Sequence, residues 1–259
     1  MSGLPRGLLT LAGLLLVWQG IVVLGELPPY LLPAPPAVAV SLWRNAGSLL
    51  GHAAVTTLEI VLGMLLGTLL GGVTALALGY SRRARRWLLP ALIASQAIPV
   101  FAIAPLLVLW LGYGLGSKIA MAMLIIYFPV TANFYDGLRH TPRGWLDLAR
   151  VMLPEPRRWA VLRHIAIPAA LPTLASGLRV AAAIAPIGAV LGEWVGSSAG
   201  LGYLMLHANS RMQIDLMFAA LLVLAALAVG LYFTVDAGLK RLLPWHPTNP
   251  ETSETDSLS

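Results

Sequence analysis

Six apolar runs of about 20 residues recur along the chain, and each is long enough to cross about 30 Å of hydrocarbon as a helix. They lie near residues 7–25, 53–79, 88–111, 119–135, 169–194 and 216–236. Leu, Ala and Gly dominate them, which favours helices over barrel strands, in which apolar and polar residues alternate over about ten positions. Hydrophobic residues make up 58% of the 259 residues and charged residues 11%, which leaves too little polar surface for a soluble globule. The sequence therefore predicts an all-α membrane protein with six transmembrane helices.

Basic residues are unevenly distributed between the loops. Six spans place both termini on one side, and thirteen of the 17 Lys and Arg residues fall on that side, including the RRARR cluster at 82–86. Because basic residues concentrate in cytoplasmic loops, both termini are predicted to be cytoplasmic. The basic clusters adjoin membrane spans and lack interleaved aromatic residues, which argues against nucleic-acid binding.

The longest predicted cytoplasmic loop, about 136–168, begins with a short amphipathic helix over residues 142–153. Thr141 is placed to cap this helix, and Pro142 to occupy its first position. The residues of its apolar face follow helical spacing and are Trp145, Leu148, Ala149, Met152 and Leu153. From the residues alone, three interpretations stay open: a helix on anionic lipid headgroups, a connector packed under the bundle, or a docking helix for a cytoplasmic partner.

Polar side chains within or at the ends of the apolar runs are costly to bury, so they are candidates for lining a translocation path. These candidates are Glu59, Ser95, Gln96, Asn133, Arg179 and Glu193. Each also has a structural interpretation, because a polar group can bond a neighbouring helix, pair with an opposite charge or lie at the membrane interface.

Glycine and proline predict two features of the helices. Small residues recur every four positions in the second run and predict a close helix contact at Gly63, Gly67 and Gly71. Prolines predict kinks in the third and fourth runs, at Pro99, Pro105 and Pro129.

Several segments resemble the permeases of bacterial ABC importers, over roughly residues 30–245. They are YLLPAPPAV, IPVFAIAPLLVLWLGYGLGSKI, YFPVTANFYDGL, PAALPTLASGLRVA and GEWVGSSAGLGYLM, and they are similar to permeases for nitrate, sulfonates, taurine and pyrimidine precursors. In the cytoplasmic loop, Asp147-Leu148-Ala149 stands where this family has Glu-Ala-Ala, and Ile165-Ala166-Ile167-Pro168 stands at its apolar-x-Leu-Pro end. Leu153 occupies the position of the family's glycine, and the turn that follows is longer.

The resemblance implies a type I ABC importer permease fold and a coupling helix that contacts an ATPase subunit. The residues assigned to that coupling are Trp145, Asp147, Leu148, Ala149, Arg150, Met152 and Pro168. The chain itself has no Gly-x-x-x-x-Gly-Lys-Ser/Thr segment, since Lys118 and Lys240 follow Ser117 and Leu239. ATP hydrolysis is therefore expected on a separate chain. No catalytic residue, metal site or bound cofactor is predicted here.

The sequence thus predicts the permease subunit of an importer in the bacterial inner membrane, in contact with membrane lipid. Residues 1–245 form its transmembrane domain and 246–259 a disordered cytoplasmic tail. A pore between two copies is expected, because one chain shows no internal repeat. An extracytoplasmic binding protein would deliver a small polar solute, with a hydroxymethylpyrimidine-like compound ahead of sulfonates, taurine or nitrate. The alternative is a secondary transporter or channel driven by an ion gradient, with Glu59 and Glu193 as proton or cation sites.

Overall fold

The computed structural model describes residues 3–152 and 158–245, and this part of the chain consists of helices and connections without strands. The predicted tail and the turn residues 153–157 lie outside the described residues. The helices are α1 (Gly3–Leu24), α2 (Pro35–Arg44), α3 (Ala46–Tyr80), α4 (Arg82–Ser95), α5 (Val100–Leu111), α6 (Leu115–Arg139), α7 (Arg143–Met152), α8 (Arg158–Val161), α9 (Ile167–Gly196), α10 (Leu201–Ser210) and α11 (Ile214–Leu242).

Four of the six predicted spans are single long apolar helices in the described part of the chain. These are α3, α6, the continuous segment Arg158–Gly196 and α11. The first predicted span falls in α1, whose apolar part, Leu9–Leu24, is shorter than a full crossing. The third predicted span, over 88–111, is divided between α4 and α5, which are apolar enough to cross the membrane only as a bent pair.

The break between α4 and α5 bends the chain by 102°. Pro99 stands immediately before α5 in a non-helical conformation, and it has no backbone N–H with which to continue the ladder of α4. Pro105 lies inside α5, which continues through it. The kink predicted from the prolines is therefore confirmed in this segment and amounts to a complete interruption of the helix.

The predicted end of the cytoplasmic loop at Pro168 is instead helical. A π-helical turn, Leu162–Ala166, connects α8 to α9, and the Ile167 N–H bonds the Leu162 carbonyl. Pro168 follows in the first turn of α9. A π turn changes the hydrogen-bond pairing by one residue, so the helix can pass a proline without ending.

Helix α6 lies between α3 and α9, and small residues permit the close approach. A Cβ at Gly63 of α3 would lie 2.5 Å from the Ala122 Cβ, and one at Gly188 of α9 would lie 2.8 Å from the Ala122 Cα. Gly67 and Gly71 likewise meet α6, so the contact predicted from their spacing is confirmed. Without water to drive helices together in lipid, such close packing is a main source of helix association.

The short helices α2 and α10 pack at one end of this three-helix core. Val38 of α2 and Leu201 of α10 share an apolar cluster with Ala219 and Ala220 of α11. At this end α3 and α6 begin and α9 ends, and the predicted orientation makes it extracytoplasmic; we call it the outer end. The opposite, inner end has its own apolar cluster, which includes Leu78, Leu138 and Leu162.

We expect Gly63→Ala to destabilise the protein by about 1–3 kcal/mol, because the added methyl group overpacks the contact with Ala122. Gly72→Ala is the matched control on the same helix, since a Cβ there has nothing within 4 Å. Alanine favours helix more than glycine does, so this control should leave stability unchanged or slightly raised. Thermal unfolding in detergent measures both, and equal midpoints for the two variants would contradict the packing described here.

Candidate functional site

A buried ion pair joins α3 to α6 near the outer end. Lys118 Nζ lies 2.6 Å from Glu59 Oε1, and the two side chains are 5% and 0% exposed. A buried charge without a partner costs several kcal/mol, so each of these residues depends on the other. Glu59 was predicted as a path candidate, and its side chain is fully buried within the chain.

Glu193, in the last turn of α9, accepts hydrogen bonds from the first turn of α10. Its Oε2 lies 2.5 Å from the Gly202 N and 3.3 Å from the Tyr203 N. The first N–H groups of a helix have no partner within the helix, and a carboxylate at this end also interacts favourably with the helix dipole. Glu193 is buried, so its role as a cap is protected from water.

Two residues of α3 complete the support of α10. The Thr56 hydroxyl donates to Glu193 Oε1 at 2.6 Å and accepts from the Leu201 N at 2.8 Å. His52 Nδ1 accepts from the Gly200 N at 3.0 Å. Side chains of α3 and α9 therefore occupy the N–H groups of four successive residues, 200–203, and hold α10 in one orientation.

Gly200 is required at the start of α10 for two reasons. Its φ of +117° lies in the region that residues with a Cβ rarely adopt. A Cβ at this position would also collide with the Glu193 carboxylate. The close approach of the backbone to Glu193 therefore depends on the absence of a side chain.

Lys118 connects the ion pair to the loop before α10. Its Nζ donates to Ser197 Oγ at 2.9 Å, and the same oxygen accepts from the Ala199 N at 3.0 Å. We call this group the outer polar cluster; its members are His52, Thr56, Glu59, Lys118, Glu193 and Ser197. The charges and caps of this cluster hold α10 in position against α3, α6 and α9.

The other predicted path residues do not join this cluster. Ser95 and Gln96 lie exposed at the break between α4 and α5, where Gln96 Nε2 donates to Ser95 Oγ at 3.3 Å. Asn133 donates to the Pro129 carbonyl of its own helix at 2.8 Å. It also lines a cavity of about 340 Å³ with residues of α4 and α6, among them Leu92 and Ile93.

Arg179 pairs with an acidic residue of the last helix. Its Nε lies 2.7 Å from Asp236 Oδ1, and Lys240 Nζ lies 2.7 Å from Asp236 Oδ2. This ion-pair interpretation was one of those left open by the sequence. It connects α9 to α11, so Arg179 has a structural partner.

Helix α7 has one face toward the protein and another toward its surroundings. Trp145 and Leu148 are 53% and 58% exposed, whereas Ala149 is 5% exposed. The Thr141 hydroxyl donates to the Leu138 carbonyl at 3.0 Å and so satisfies a carbonyl at the end of α6. Arg150 and Met152 lie in α7, but their side chains are outside the description. The predicted apolar face is therefore divided, with Trp145 and Leu148 available to a partner and Ala149 buried within the chain.

Residues 60–245 match the family model described as binding-protein-dependent transport system inner membrane component. This match covers most of the chain. The chain belongs to that family. It is a permease subunit of an ABC importer in the inner membrane, which confirms the family predicted from the sequence and sets aside the alternative of a secondary transporter or channel.

Similar permeases are known from several bacteria. A probable ABC transporter permease protein of Haemophilus influenzae is 58% identical over 93% of this chain and 97% of its own length. The riboflavin transport system permease protein RibX of Chloroflexus aurantiacus is 42% identical over 93% of this chain and 88% of its own. The formylaminopyrimidine transport permease protein ThiX of Halalkalibacterium halodurans is 35% identical over 90% and 92%, respectively.

The fold is also similar to a solved structure, the inward-facing MetNI methionine ABC transporter. The TM-score is 0.58 at 19% identity, over 77% of this chain and 96% of the other. The likeness confirms the predicted all-α, type I importer fold.

The sequence analysis singled out Glu59 and Glu193 but missed the other four members of the permease's outer polar cluster, which are His52, Thr56, Lys118 and Ser197. His52, Thr56 and Glu59 recur at helical spacing, and this pattern of polar residues on one face of an apolar helix is the signal that predicts a buried polar contact. Lys118 was counted only as a basic residue of the outer side. Its burial depends on the approach of α3 and α9, which its local sequence does not indicate.

We expect Lys118→Met to lower the free energy of unfolding of the permease by about 3–5 kcal/mol, because it leaves the Glu59 carboxylate buried without its partner. Adding Glu59→Gln should recover part of this loss, since the remaining side chain is neutral. Lys240→Met is the matched control: its ammonium is half exposed, and Asp236 keeps Arg179 as a partner, so the expected cost is below about 1 kcal/mol. Thermal unfolding in detergent compares the three, and equal losses for the two single lysine variants would refute the structural role of the pair.

Proposed function

We propose that this permease forms the pore of an ATP-driven importer, in which a separate ATPase chain hydrolyses ATP and an extracytoplasmic binding protein delivers the solute. The family match is the observation that carries the proposal. The chain binds no cofactor of its own in this scheme. The structural features that support the scheme lie at the two ends of the bundle.

At the inner end, α7 is the proposed contact with the ATPase. It is a short helix between two long membrane helices, on the side that carries most of the basic residues, and it exposes Trp145 and Leu148. An exposed tryptophan and leucine side by side fit an apolar groove on a partner. Asp147 and Arg150 are proposed to contact the rim of that groove, whereas Ala149 supports α7 from within the permease.

At the outer end, α10 is the proposed contact with the binding protein. The outer polar cluster connects α10 to α3, α6 and α9 through hydrogen bonds, and those to the first residues of α10 are 2.5–3.3 Å long. A displacement of α10 by the binding protein would therefore also displace the central helices. A continuous set of hydrogen bonds of this kind is one route by which docking at α10 would affect the membrane helices.

The pore is proposed to form between two copies of the chain. Around the break between α4 and α5 the exposed side chains are apolar, with Ile93 at 62%, Ile98 at 53% and Phe101 at 63% exposure. Ser95 and Gln96 lie within this apolar surface. A second copy would cover the apolar residues and place the polar pair, with the nearby Asn133, next to the translocation path.

For the solute, we propose a nitrogen heterocycle of the pyrimidine class, such as hydroxymethylpyrimidine, ahead of sulfonates, taurine or nitrate. Two of the similar permeases are named for heterocyclic compounds, formylaminopyrimidine and riboflavin. The measurement is uptake into vesicles that contain the permease and its ATPase, with the cognate binding protein supplied. We expect uptake of the pyrimidine and none of taurine, and the reverse result would overturn the order.

The coupling contact is tested by Leu148→Asp, which places a charge on the exposed face of α7. A carboxylate in an apolar groove without a partner costs several kcal/mol, so the ATPase should no longer co-purify with the permease in detergent. Leu148→Met keeps an apolar side chain of similar size, and it should retain the ATPase.

Ala149→Asp is less diagnostic, because Ala149 is buried within the permease and the substitution should damage the permease itself. The unfolding midpoint of each variant separates these cases. Full retention of the ATPase by a stable Leu148→Asp permease would show that α7 does not dock in the proposed way.

A further inference from the structure

A cavity of about 450 Å³ opens at the inner end of the bundle, beside α7. Three arginines line it: Arg82 and Arg85 from α4, and Arg158 from α8. The rest of the lining is mostly apolar and includes Leu138, Leu146, Val161, Leu162 and Ala166. The cavity therefore combines a cationic rim with an apolar floor.

Within the part of the chain that the structure describes, two of the three guanidinium groups have no carboxylate partner. Arg85 is engaged by the protein, since its Nε and Nη2 lie 3.4 Å from the Leu78 carbonyl and its guanidinium lies 5.8 Å from the centre of the Tyr135 ring. Across residues 3–152 and 158–245, neither Arg82 nor Arg158 forms an ion pair with a carboxylate. No carboxylate of the described residues lines the cavity. Arginine forks of this kind bind phosphate groups well.

Aromatic residues place the cavity at the level of the lipid headgroups. Tyr80 ends the long apolar helix α3. Its ring makes an edge-on contact with the ring of Trp159, and the two ring centroids lie 6.2 Å apart. Trp87, the residue that directly follows the arginines of α4, is 77% exposed. Tyrosine and tryptophan concentrate at the boundary between hydrocarbon and headgroups, so the arginines lie where lipid phosphates are found.

We propose that this cavity binds one anionic phospholipid of the inner leaflet. Arg82 and Arg158 contact its phosphate, and the first carbons of its acyl chains cover the apolar floor. Basic pockets on the cytoplasmic side of membrane helices are suited to anionic headgroups, whose negative charge adds to the attraction. Because Leu146 of α7 forms part of the wall, the bound lipid also supports the helix that exposes Trp145 and Leu148.

The test uses the full-length permease in a non-ionic detergent and a short-chain phosphatidylglycerol as the probe, with bound lipid counted by native mass spectrometry. Phosphatidylcholine of the same chain length and inorganic phosphate are the comparison ligands. The variants are Arg82→Gln/Arg158→Gln and, as the control, Arg83→Gln/Arg86→Gln. Both remove two positive charges from the inner face, but Arg83 and Arg86 do not line the cavity.

We expect the cavity variant to lose affinity for phosphatidylglycerol by on the order of tenfold, given about one charge contact for each arginine, and the control to change by less than about twofold. Inorganic phosphate should not displace the lipid. If the double glutamine variant does not fold, Arg158→Gln alone, at an exposed position, should still lower the affinity measurably.

Four results would overturn the proposal. Equal losses in the two double variants would indicate general surface attraction, and equal binding of phosphatidylcholine would remove the role of the anionic headgroup. Displacement by inorganic phosphate would reassign the cavity to a free anion. Unchanged lipid binding by the cavity variant, together with loss of ATPase co-purification, would make the arginines part of the protein interface.

Discussion

The close approach of α3 and α9 to the two sides of α6 is the constraint on which the rest of the structure depends. At Ala122, glycines of both neighbouring helices leave no room for a further methyl group. Near the outer end, a Cβ at Gly192 would lie 3.0 Å from the Lys118 Cα. Since lipid chains are as apolar as leucine, van der Waals contact at such short distances favours protein neighbours over lipid neighbours. The same approach brings the functional groups of three helices within hydrogen-bond reach of one another.

The outer polar cluster shows how charges are tolerated at this depth. Lys118 neutralises Glu59, and the N–H groups of α10 together with the Thr56 hydroxyl satisfy Glu193. An apolar replacement could fill the same volume, and buried ion pairs often add little net stability compared with such a replacement. The cluster also fixes the orientation of the helices that it joins. Hydrogen bonds constrain the relative orientation of their partners, whereas an apolar contact is compatible with many orientations. In this permease the hydrogen bonds fix the orientation of α10, the helix proposed to contact the binding protein.

The inner end has a different character, in which charge lies at the surface and the apolar contacts lie beneath it. Leu146 and Ala149 hold α7 against the permease, and Trp145 and Leu148 face away from it. The arginine-lined cavity lies directly beside this helix. The proposed ATPase contact lies on one face of α7, and the proposed lipid lies at the other. Both would therefore affect the position of the same short helix.

Periodicity and composition predicted the membrane location, the helical class, the apolar runs and the glycine contact of α3, because these follow from properties of single segments. The resemblance of several segments to importer permeases predicted the family, which the match over residues 60–245 confirmed. The local sequence also predicted α7 and an interruption near Pro99, since a missing N–H acts wherever the proline stands.

The tertiary structure decided which polar residues meet. In the chain, Glu59 and Lys118 are separated by most of α3 and the whole of α4 and α5. Glu193 caps a helix that begins eight residues later only because of the turn at Gly200. It also decided that Ala149 is inside and Leu148 outside, although both lie on the apolar face of α7, and that α8 continues into α9 past Pro168. The sequence of a segment determines the free energy that the segment gains when it leaves water. The partner of each side chain depends instead on distances of a few ångströms between segments far apart in the chain, and packing alone sets those distances.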